Sequence, residues 1–344
     1  MIPEHGGNLR GQSDLLDFSA NINPLGLPHS VKEAVMASVH EWTHYPDPDC
    51  TALTAALSAH TGFPAEQIVC GNGAADLIYR IVHALHPHHA LICAPTFSEY
   101  EHALLETGCE ISYYNLTEQN SFRLSDDILD RITPDIDLLF LCTPNNPTGL
   151  RIEPELLAKI AMHCDKNNTV FVCDECFLAF SEQAAAYSLK SCMNPSCIVL
   201  NAFTKIYAMP GIRLGFVCCG SKELAAKIRQ SGQYWSVSVP AQAAGIAALQ
   251  DAEYLSRTVR YVAEERAFLT DSLRKCGIHV YRSDANFLML RTNSQFADSM
   301  LKAGIVIRQC TNFRNLDESY FRIAVRTQEE NCQLIRAVKE AFGL

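Results

Sequence analysis

Lys205 stands between Phe203 on one side and Ile206 and Tyr207 on the other. A lysine among apolar neighbours is desolvated, its pKa falls, and its free amine can form a Schiff base. Taken alone, it reads as a surface lysine whose stem lies along apolar side chains. Asp174, just past the run Val170-Phe171-Val172, is either a helix-capping carboxylate or a buried counter-charge for a cationic ring nitrogen. Gly71-Asn72-Gly73-Ala74-Ala75-Asp76 ends a strand and opens a helix. Free backbone N–H groups and the positive helix end favour a phosphate there, although the motif by itself is an ordinary turn and cap. Arg213 follows Lys205 at the start of the next apolar run, within reach of the same phosphate.

These residues matter only if the chain brings them together, and the pattern of elements says that it does. Apolar runs alternate with helical patterns from about 67 to 220. They are Ile68-Val69-Cys70, Ala90-Leu91-Ile92-Cys93, Leu138-Leu139-Phe140-Leu141, Val170-Phe171-Val172, Ile198-Val199-Leu200 and Gly215-Phe216-Val217. Short continuous runs separated by helices predict a mostly parallel sheet covered on both faces. One of those helices places Leu156, Leu157, Ile160, Ala161 and Cys164 on a single face, with Pro154 near its start. In open parallel sheets ligands collect at the carboxyl ends of strands. The polar segments fall there in order: Gly71-Asn72-Gly73, Pro95-Thr96-Phe97, Pro144-Asn145-Asn146-Pro147-Thr148-Gly149, Asp174-Glu175 and Thr204-Lys205. Five such loops describe a site. Beyond 240 a long helical stretch to about 275 is expected, then short strands near 286–291, 304–308 and 321–325. A closing helix has Leu334, Ile335, Val338 and Phe342 on one side, which together predict a smaller α+β unit.

The chain has 344 residues, 28 Lys+Arg against 38 Asp+Glu, and a net charge of -10. At 48% hydrophobic and 19% charged residues it can bury a sizeable core, which excludes a disordered chain. The negative balance speaks against a nucleic-acid partner. No apolar run approaches a membrane span, and Met1-Ile2-Pro3-Glu4-His5 does not read as a signal peptide, so a cytoplasmic protein is expected. The 15 cysteines read as buried reduced thiols, since many sit inside apolar runs. Cys173 and Cys176 have metal or redox spacing but no second pair, and His83, His86, His88 and His89 fall where a helix should end. No metal is expected. Taken together, the parts describe a pyridoxal-phosphate site. The helix end and Arg213 hold the phosphate, Phe97 stacks on the ring, Asp174 keeps the ring nitrogen protonated, Asn146 hydrogen-bonds the ring hydroxyl and Lys205 forms the Schiff base.

On Gly-Asn-Gly at 71–73, Pro-Asn-Asn-Pro-Thr-Gly at 144–149, Asp-Glu at 174–175 and Thr-Lys…Gly-Ile-Arg-Leu-Gly over 204–215, the chain resembles the fold-type-I pyridoxal-phosphate enzymes of the class I/II aminotransferase superfamily. Within it the likeness extends to the histidinol-phosphate aminotransferases and, more closely, to the L-threonine-O-3-phosphate decarboxylases of cobalamin biosynthesis. The closer likeness runs almost end to end, through His5-Gly6-Gly7-Asn8, Asp17-Phe18-Ser19-Ala20-Asn21-Ile22-Asn23-Pro24-Leu25-Gly26, Tyr45-Pro46-Asp47, Trp235-Ser236-Val237 and Tyr320-Phe321-Arg322-Ile323-Ala324-Val325-Arg326. The resemblance implies an α/β fold in three parts. These are an N-terminal arm (1–44) contributing to the small domain and active site, a large cofactor-binding domain (45–240) and a C-terminal small domain (241–344). It implies cofactor contacts from Gly73, Ala74, Ala75, Phe97, Asn146, Asp174, Thr204, Lys205 and Arg213. It also implies a homodimer in which Tyr45 reaches the neighbouring subunit's cofactor phosphate. Arg322 matches the clamp for the substrate α-carboxylate, where a bidentate fork suits the geometry. Arg308 and His5 match binders of the substrate's own phosphate, Asn21 lies in the segment that closes over the substrate, and Asn146 borders it. The sequence departs from the family at Phe177, where aminotransferases usually carry Tyr and the decarboxylases carry Phe. A second departure is Ala202, where a phosphate-binding Ser or Thr is usual, and a smaller one is Ser238.

The implied reaction is decarboxylation of O-phospho-L-threonine to (R)-1-amino-2-propanol O-2-phosphate and CO2, with Lys205 and Asp174 as the catalytic pair. Histidinol-phosphate aminotransfer is the alternative that breaks a different bond. Decarboxylation of O-phospho-L-serine differs by one methyl group, worth only ~1–3 kcal/mol of discrimination. A non-catalytic cofactor-binding sensor is the remaining class. It is disfavoured because Lys205, Asp174 and Arg322 are all present and a DNA-binding domain ahead of His5 is not expected.

Overall fold

The computed structural model describes residues 6–7 and 14–344. Its principal sheet has seven strands: β2 (Ile68–Gly71), β3 (His89–Ala94), β4 (Glu110–Asn115), β5 (Leu138–Cys142), β6 (Val170–Asp174), β7 (Cys197–Ala202) and β8 (Gly215–Cys219), after β1 (Leu16–Asp17). Their order is β2-β8-β7-β6-β5-β3-β4, parallel except for β8, which runs antiparallel to both of its neighbours. The inner strands are apolar on both faces because both faces are covered. Leu91, Leu139, Leu141, Phe171 and Val199 enter one buried cluster, while Ile92, Leu138, Phe140, Val172 and Ile198 enter the other. All six expected runs form strands here. β4 was not expected. It is an edge strand whose ends, Glu110 and Asn115, are exposed and of which only Tyr114 is buried, so it lacks the continuous apolar run that marks its neighbours.

Register, rather than proximity in sequence, assembles the strand ends. Gly215 on β8 pairs with Gly71 on one side and with Ala202 on the other, which sets the glycine turn beside the lysine segment. Cys142 pairs with Asp174, and Asp174 with Leu200, which sets the Asn146 loop and the aspartate in the same row.

A second, antiparallel sheet runs β12-β13-β10-β9, formed by β9 (His279–Val280), β10 (Phe287–Arg291), β12 (Arg308–Gln309) and β13 (Tyr320–Ala324). β11 (Ile305–Val306) pairs in parallel with β1, and the carbonyl of Phe18 accepts from the Ala324 amide at 2.8 Å, so residues 16–18 lie against this sheet. The expected single helix over 240–275 is two, Val239–Gln250 and Ala252–Lys275. Asp251 interrupts it: its backbone leaves the helical region and its carboxylate caps the second helix through the Tyr254 amide at 3.0 Å. The closing helix Gln328–Phe342 starts at a Thr327/Glu330 capping box and buries Leu334, Ile335 and Val338. Among the described residues, no helix is long and apolar enough to cross a membrane.

Candidate active site

A cavity of about 440 Å³ opens where the strand ends meet the second sheet. Lys205 lies in its wall on the short helix Phe203–Ile206, which follows β7 directly. Phe203 and Ile206 are buried beneath that turn, which leaves Thr204 and Lys205 to face the cavity. Desolvation, with the positive charges of Arg322 and Arg213 behind it, lowers the Lys205 pKa to about 8, so a free amine is available near neutral pH. The turn is tied down by Asn23, a residue the sequence reading had not singled out. Its amide N–H donates to the Lys205 carbonyl at 3.1 Å, and its Nδ2 donates to the Ile206 carbonyl at 2.6 Å and to Thr258 Oγ1 at 2.8 Å.

Asp174 ends β6 at the base of the cavity. Its Oδ1 accepts from the Cys176 amide at 2.9 Å and its Oδ2 from the Tyr100 hydroxyl at 2.6 Å. Burial pushes this carboxyl above its usual range, and the hydrogen bonds pull it part of the way back. A buried carboxylate held only by neutral donors favours a cation beside it. Glu175 turns away and accepts from Ser188 Oγ and the Leu189 amide, with its pKa pushed up to about 7 by burial.

The phosphate cradle is built by glycines. Gly73 opens the Gly73–Leu85 helix with φ +87°, and a Cβ there would stand 2.6 Å from Arg213 Nη2. The Asn72 side chain does not cap this helix, so the amides of the first turn, next to Ala74 and Ala75, stay available to an anion. A Cβ on Gly215 would stand 2.8 Å from the Ala74 nitrogen, so glycine permits β8 to pass that close. Phe97 borders the cavity and meets Tyr100 edge-on at 5.7 Å.

The opposite wall comes from the second sheet and the N-terminal segment. Arg308 and Arg322 are register partners on β12 and β13 and both line the cavity. Arg322 donates through Nη1 to Asn146 Oδ1 and through Nη2 to the Ser19 carbonyl at 2.8 Å, while its buried Nε has no hydrogen-bond partner among the described residues. Burial lowers its pKa to about 10. Arg308 donates to Asn312 Oδ1 at 2.6 Å and lies over the Phe313 ring. Asn21 is buried in the same wall, and its carbonyl accepts from Asn286 Nδ2 at 3.1 Å. Phe177 and Ala202 also border the cavity.

Among the described residues, the expected site residue Tyr45 stands away from this cavity. Tyr45 is 77% exposed and stacks on Trp235 with ring centroids 4.3 Å apart. His5 lies outside the described residues. The Cys173 and Cys176 side chains enter different apolar clusters, and thirteen of the 15 cysteines are buried. Among the described residues, no group of three His, Cys, Asp or Glu side chains is placed to hold a metal ion. The residues present fit pyridoxal phosphate. An anion cradle, an aromatic face, a buried carboxylate without a cation and a desolvated amine share one cavity.

The family model for aminotransferase class I and II matches residues 13–338. The chain is 40% identical over 350 residues to the threonine-phosphate decarboxylase of Salmonella typhimurium strain LT2, covering 98% of this chain and 96% of that protein. Among solved structures it is similar to the histidinol-phosphate aminotransferase of Clostridium acetobutylicum, with a TM-score of 0.88 and 30% identity over 96% of this chain and 99% of that one. It also resembles the L-threonine-O-3-phosphate decarboxylase of Porphyromonas gingivalis, with a TM-score of 0.83 over 96% and 100% of the two chains. At 24% identity, that likeness speaks to the fold alone.

Proposed function

The chain belongs to the class I and II aminotransferase family, and on that premise we propose that it is a pyridoxal-phosphate-dependent carbon–carbon lyase. It converts O-phospho-L-threonine to (R)-1-amino-2-propanol O-2-phosphate and CO2, a step of cobalamin biosynthesis. The observation that carries this choice is the 40% identity, end to end, to a threonine-phosphate decarboxylase. The cavity agrees with it. A substrate with a carboxylate and a phosphate meets two guanidiniums, Arg322 and Arg308, in the wall shared with Lys205.

The chemistry the cofactor supplies when bound is an electron sink for the bond broken at the substrate α-carbon. The residues do the rest. The helix amides at Ala74 and Ala75, with Thr204 and Arg213, bind the cofactor phosphate. Asp174 holds a proton at the ring nitrogen, and this charge is in place before reaction begins. Asn146 presents its Nδ2 to the ring hydroxyl, because its Oδ1 already accepts from Arg322. Phe97 covers one ring face. Lys205 would supply the amine that anchors the cofactor. Arg322 binds the α-carboxylate, and Arg308, with His5 and Asn21, binds the substrate's own phosphate. Holding both ends of the substrate selects which bond at the α-carbon is presented for cleavage, so the arginine pair decides the reaction by positioning. Phe177, lacking a hydroxyl, leaves Asn146 as the side-chain donor to the ring hydroxyl.

The active unit in this reading is a cytoplasmic homodimer. Tyr45, exposed on this chain and braced by Trp235, reaches the cofactor phosphate of the second copy. Thirteen buried, unpaired thiols suit a reducing compartment. Histidinol-phosphate aminotransfer is the second reading, favoured by the TM-score of 0.88 to an enzyme of that kind. The deciding experiment gives the purified protein pyridoxal phosphate and O-phospho-L-threonine without any keto acid. Catalytic CO2 release, lost in Lys205→Ala, supports the decarboxylase. No CO2, with turnover of histidinol phosphate once 2-oxoglutarate is added, overturns it in favour of the aminotransferase.

A further inference from the structure

The Asp174 carboxylate is held from a distant part of the chain by the side chain of Tyr100. Tyr100 is fully buried on the inner face of the helix Ser98–Glu106, between two other aromatic rings. It stacks on Phe140 of β5 with centroids 5.0 Å apart and planes 7° from parallel, and it meets Phe97 edge-on. Held this way, its hydroxyl has a fixed direction, and it donates to Asp174 Oδ2 at 2.6 Å. A short hydrogen bond from a neutral donor to a buried carboxylate favours the ionised form and fixes the plane of the group.

Of the other groups near Asp174, the Cys176 thiol, two residues along the chain, also hydrogen-bonds the carboxylate and favours its ionised form. Cys142 on β5, and Cys173 and Cys176 beside Asp174 in the chain, are thiols that burial pushes above the usual range, so they stay neutral. Glu175 faces Ser188 and Leu189, and Lys205 stands elsewhere in the cavity wall. Tyr100 itself is held well above the ordinary tyrosine range, by burial first and the Asp174 charge second, so it remains a donor at every working pH.

We infer that Tyr100 is a positioning residue for the reaction: its hydroxyl, locked between Phe140 and Phe97, orients the Asp174 carboxylate and keeps it ionised toward the cofactor's ring nitrogen. The same ring braces Phe97, so one side chain aligns both the charge and the stacking face. This rests on the reading of Asp174 as the counter-charge.

Tyr100→Phe tests it, because only the hydroxyl is lost. The sign follows from the bond: without the donor the ionised carboxylate is less favoured, its pKa rises, and the counter-charge is lost at higher pH. In the holoenzyme, the acid-side transition of the bound cofactor's visible absorption is expected to move up by about one pH unit, the size of one charge-assisted hydrogen bond. At neutral pH kcat falls roughly tenfold, with KM for O-phospho-L-threonine changed less than about twofold, because the hydroxyl is spent on Asp174 rather than on substrate. The opposite perturbation covers the case in which Tyr100→Phe folds poorly. With 3,5-difluorotyrosine at position 100, a stronger donor, the transition moves to lower pH. An unmoved transition in either protein overturns the inference. Failure of the underlying reading shows separately in Asp174→Asn: an acid-side transition that stays at the wild-type pH there means Asp174 is not the counter-charge, whereas a changed transition there with an unmoved one in Tyr100→Phe overturns the Tyr100 inference alone.

Discussion

Lys205 holds its positive charge in a poor place, and Lys205→Met should reveal the cost in the cofactor-free protein. Desolvation, Arg322 and Arg213 bring its pKa from 10.5 to about 8. Below pH 8 the folded protein therefore carries an ammonium that the unfolded chain solvates better. The shift corresponds to roughly 3 kcal/mol at 1.36 kcal/mol per pH unit, and the partial exposure of Lys205 to the cavity discounts it to about 2 kcal/mol. Methionine keeps the length and apolar stem while removing the charge. Calorimetry of the two cofactor-free proteins at pH 7 should place Lys205→Met about 2–4 °C above wild type, given an unfolding entropy that scales with chain length. The sign of the pH dependence is fixed by linkage. Between pH 8 and 10.5 the unfolded chain binds the proton and the folded one does not, so the wild type recovers stability as pH rises. The gap between the proteins should shrink through that window and nearly close by pH 10.5. A gap that is absent at pH 7, or that stays constant to pH 10.5, refutes the claim that this amine is poised by its surroundings.

Other outcomes follow from single contacts. Gly73→Ala forces a Cβ to within 2.6 Å of Arg213 Nη2 at a φ of +87°, so cofactor affinity should fall at least ~10-fold in an absorbance titration, with ~1–2 kcal/mol of stability lost. Asn23→Ala removes both Nδ2 hydrogen bonds and leaves the Ile206 carbonyl buried without that donor. It should cost ~2–4 kcal/mol in urea unfolding, and the bound cofactor should dissociate faster. Arg322→Lys cannot donate to Asn146 and Ser19 as a fork, and kcat/KM for O-phospho-L-threonine should drop ~30–100-fold, read by CO2 release. Tyr45→Ala should weaken cofactor binding without unfolding the protein, and sedimentation of the wild-type holoprotein at twice the 38.2 kDa chain mass checks the proposed homodimer.

The parts of the molecule that carry a simple repeat were legible beforehand. Continuous apolar runs announced β2, β3, β5, β6, β7 and β8, and the first five end at the polar loops expected there, so Asp174, Asn146, Lys205 and Arg213 share one cavity. β4 escaped because an edge strand needs only one buried side chain and shows no run. The break at Asp251 escaped because helical periodicity continues on both sides of a single capping residue. Tyr100 and Asn23 were hidden for a common reason. A tyrosine on an amphipathic helix reads as core, and an asparagine in a loop reads as a turn former. What distinguishes them is a partner 74 residues away for one, and 183 and 235 residues away for the other. Long-range pairing of that kind leaves no local pattern in a single chain.

The bond from Arg322 to the Ser19 carbonyl spans 303 residues, and β1 pairs with β11 near the other end of the chain. A ribosome makes these partners at opposite ends of its work. At roughly 5–20 residues per second, the segment around Leu16 and Phe18 waits about 15–60 s for the strands that cover it. By residue 219 the nascent chain already holds the glycine turn, Asp174, Lys205 and Arg213, but not yet the arginine pair. On the proposed roles, the order of synthesis therefore supplies the residues that hold the cofactor before those that recognise the substrate. Through that interval Leu16 and Phe18 are the residues a chaperone would find uncovered.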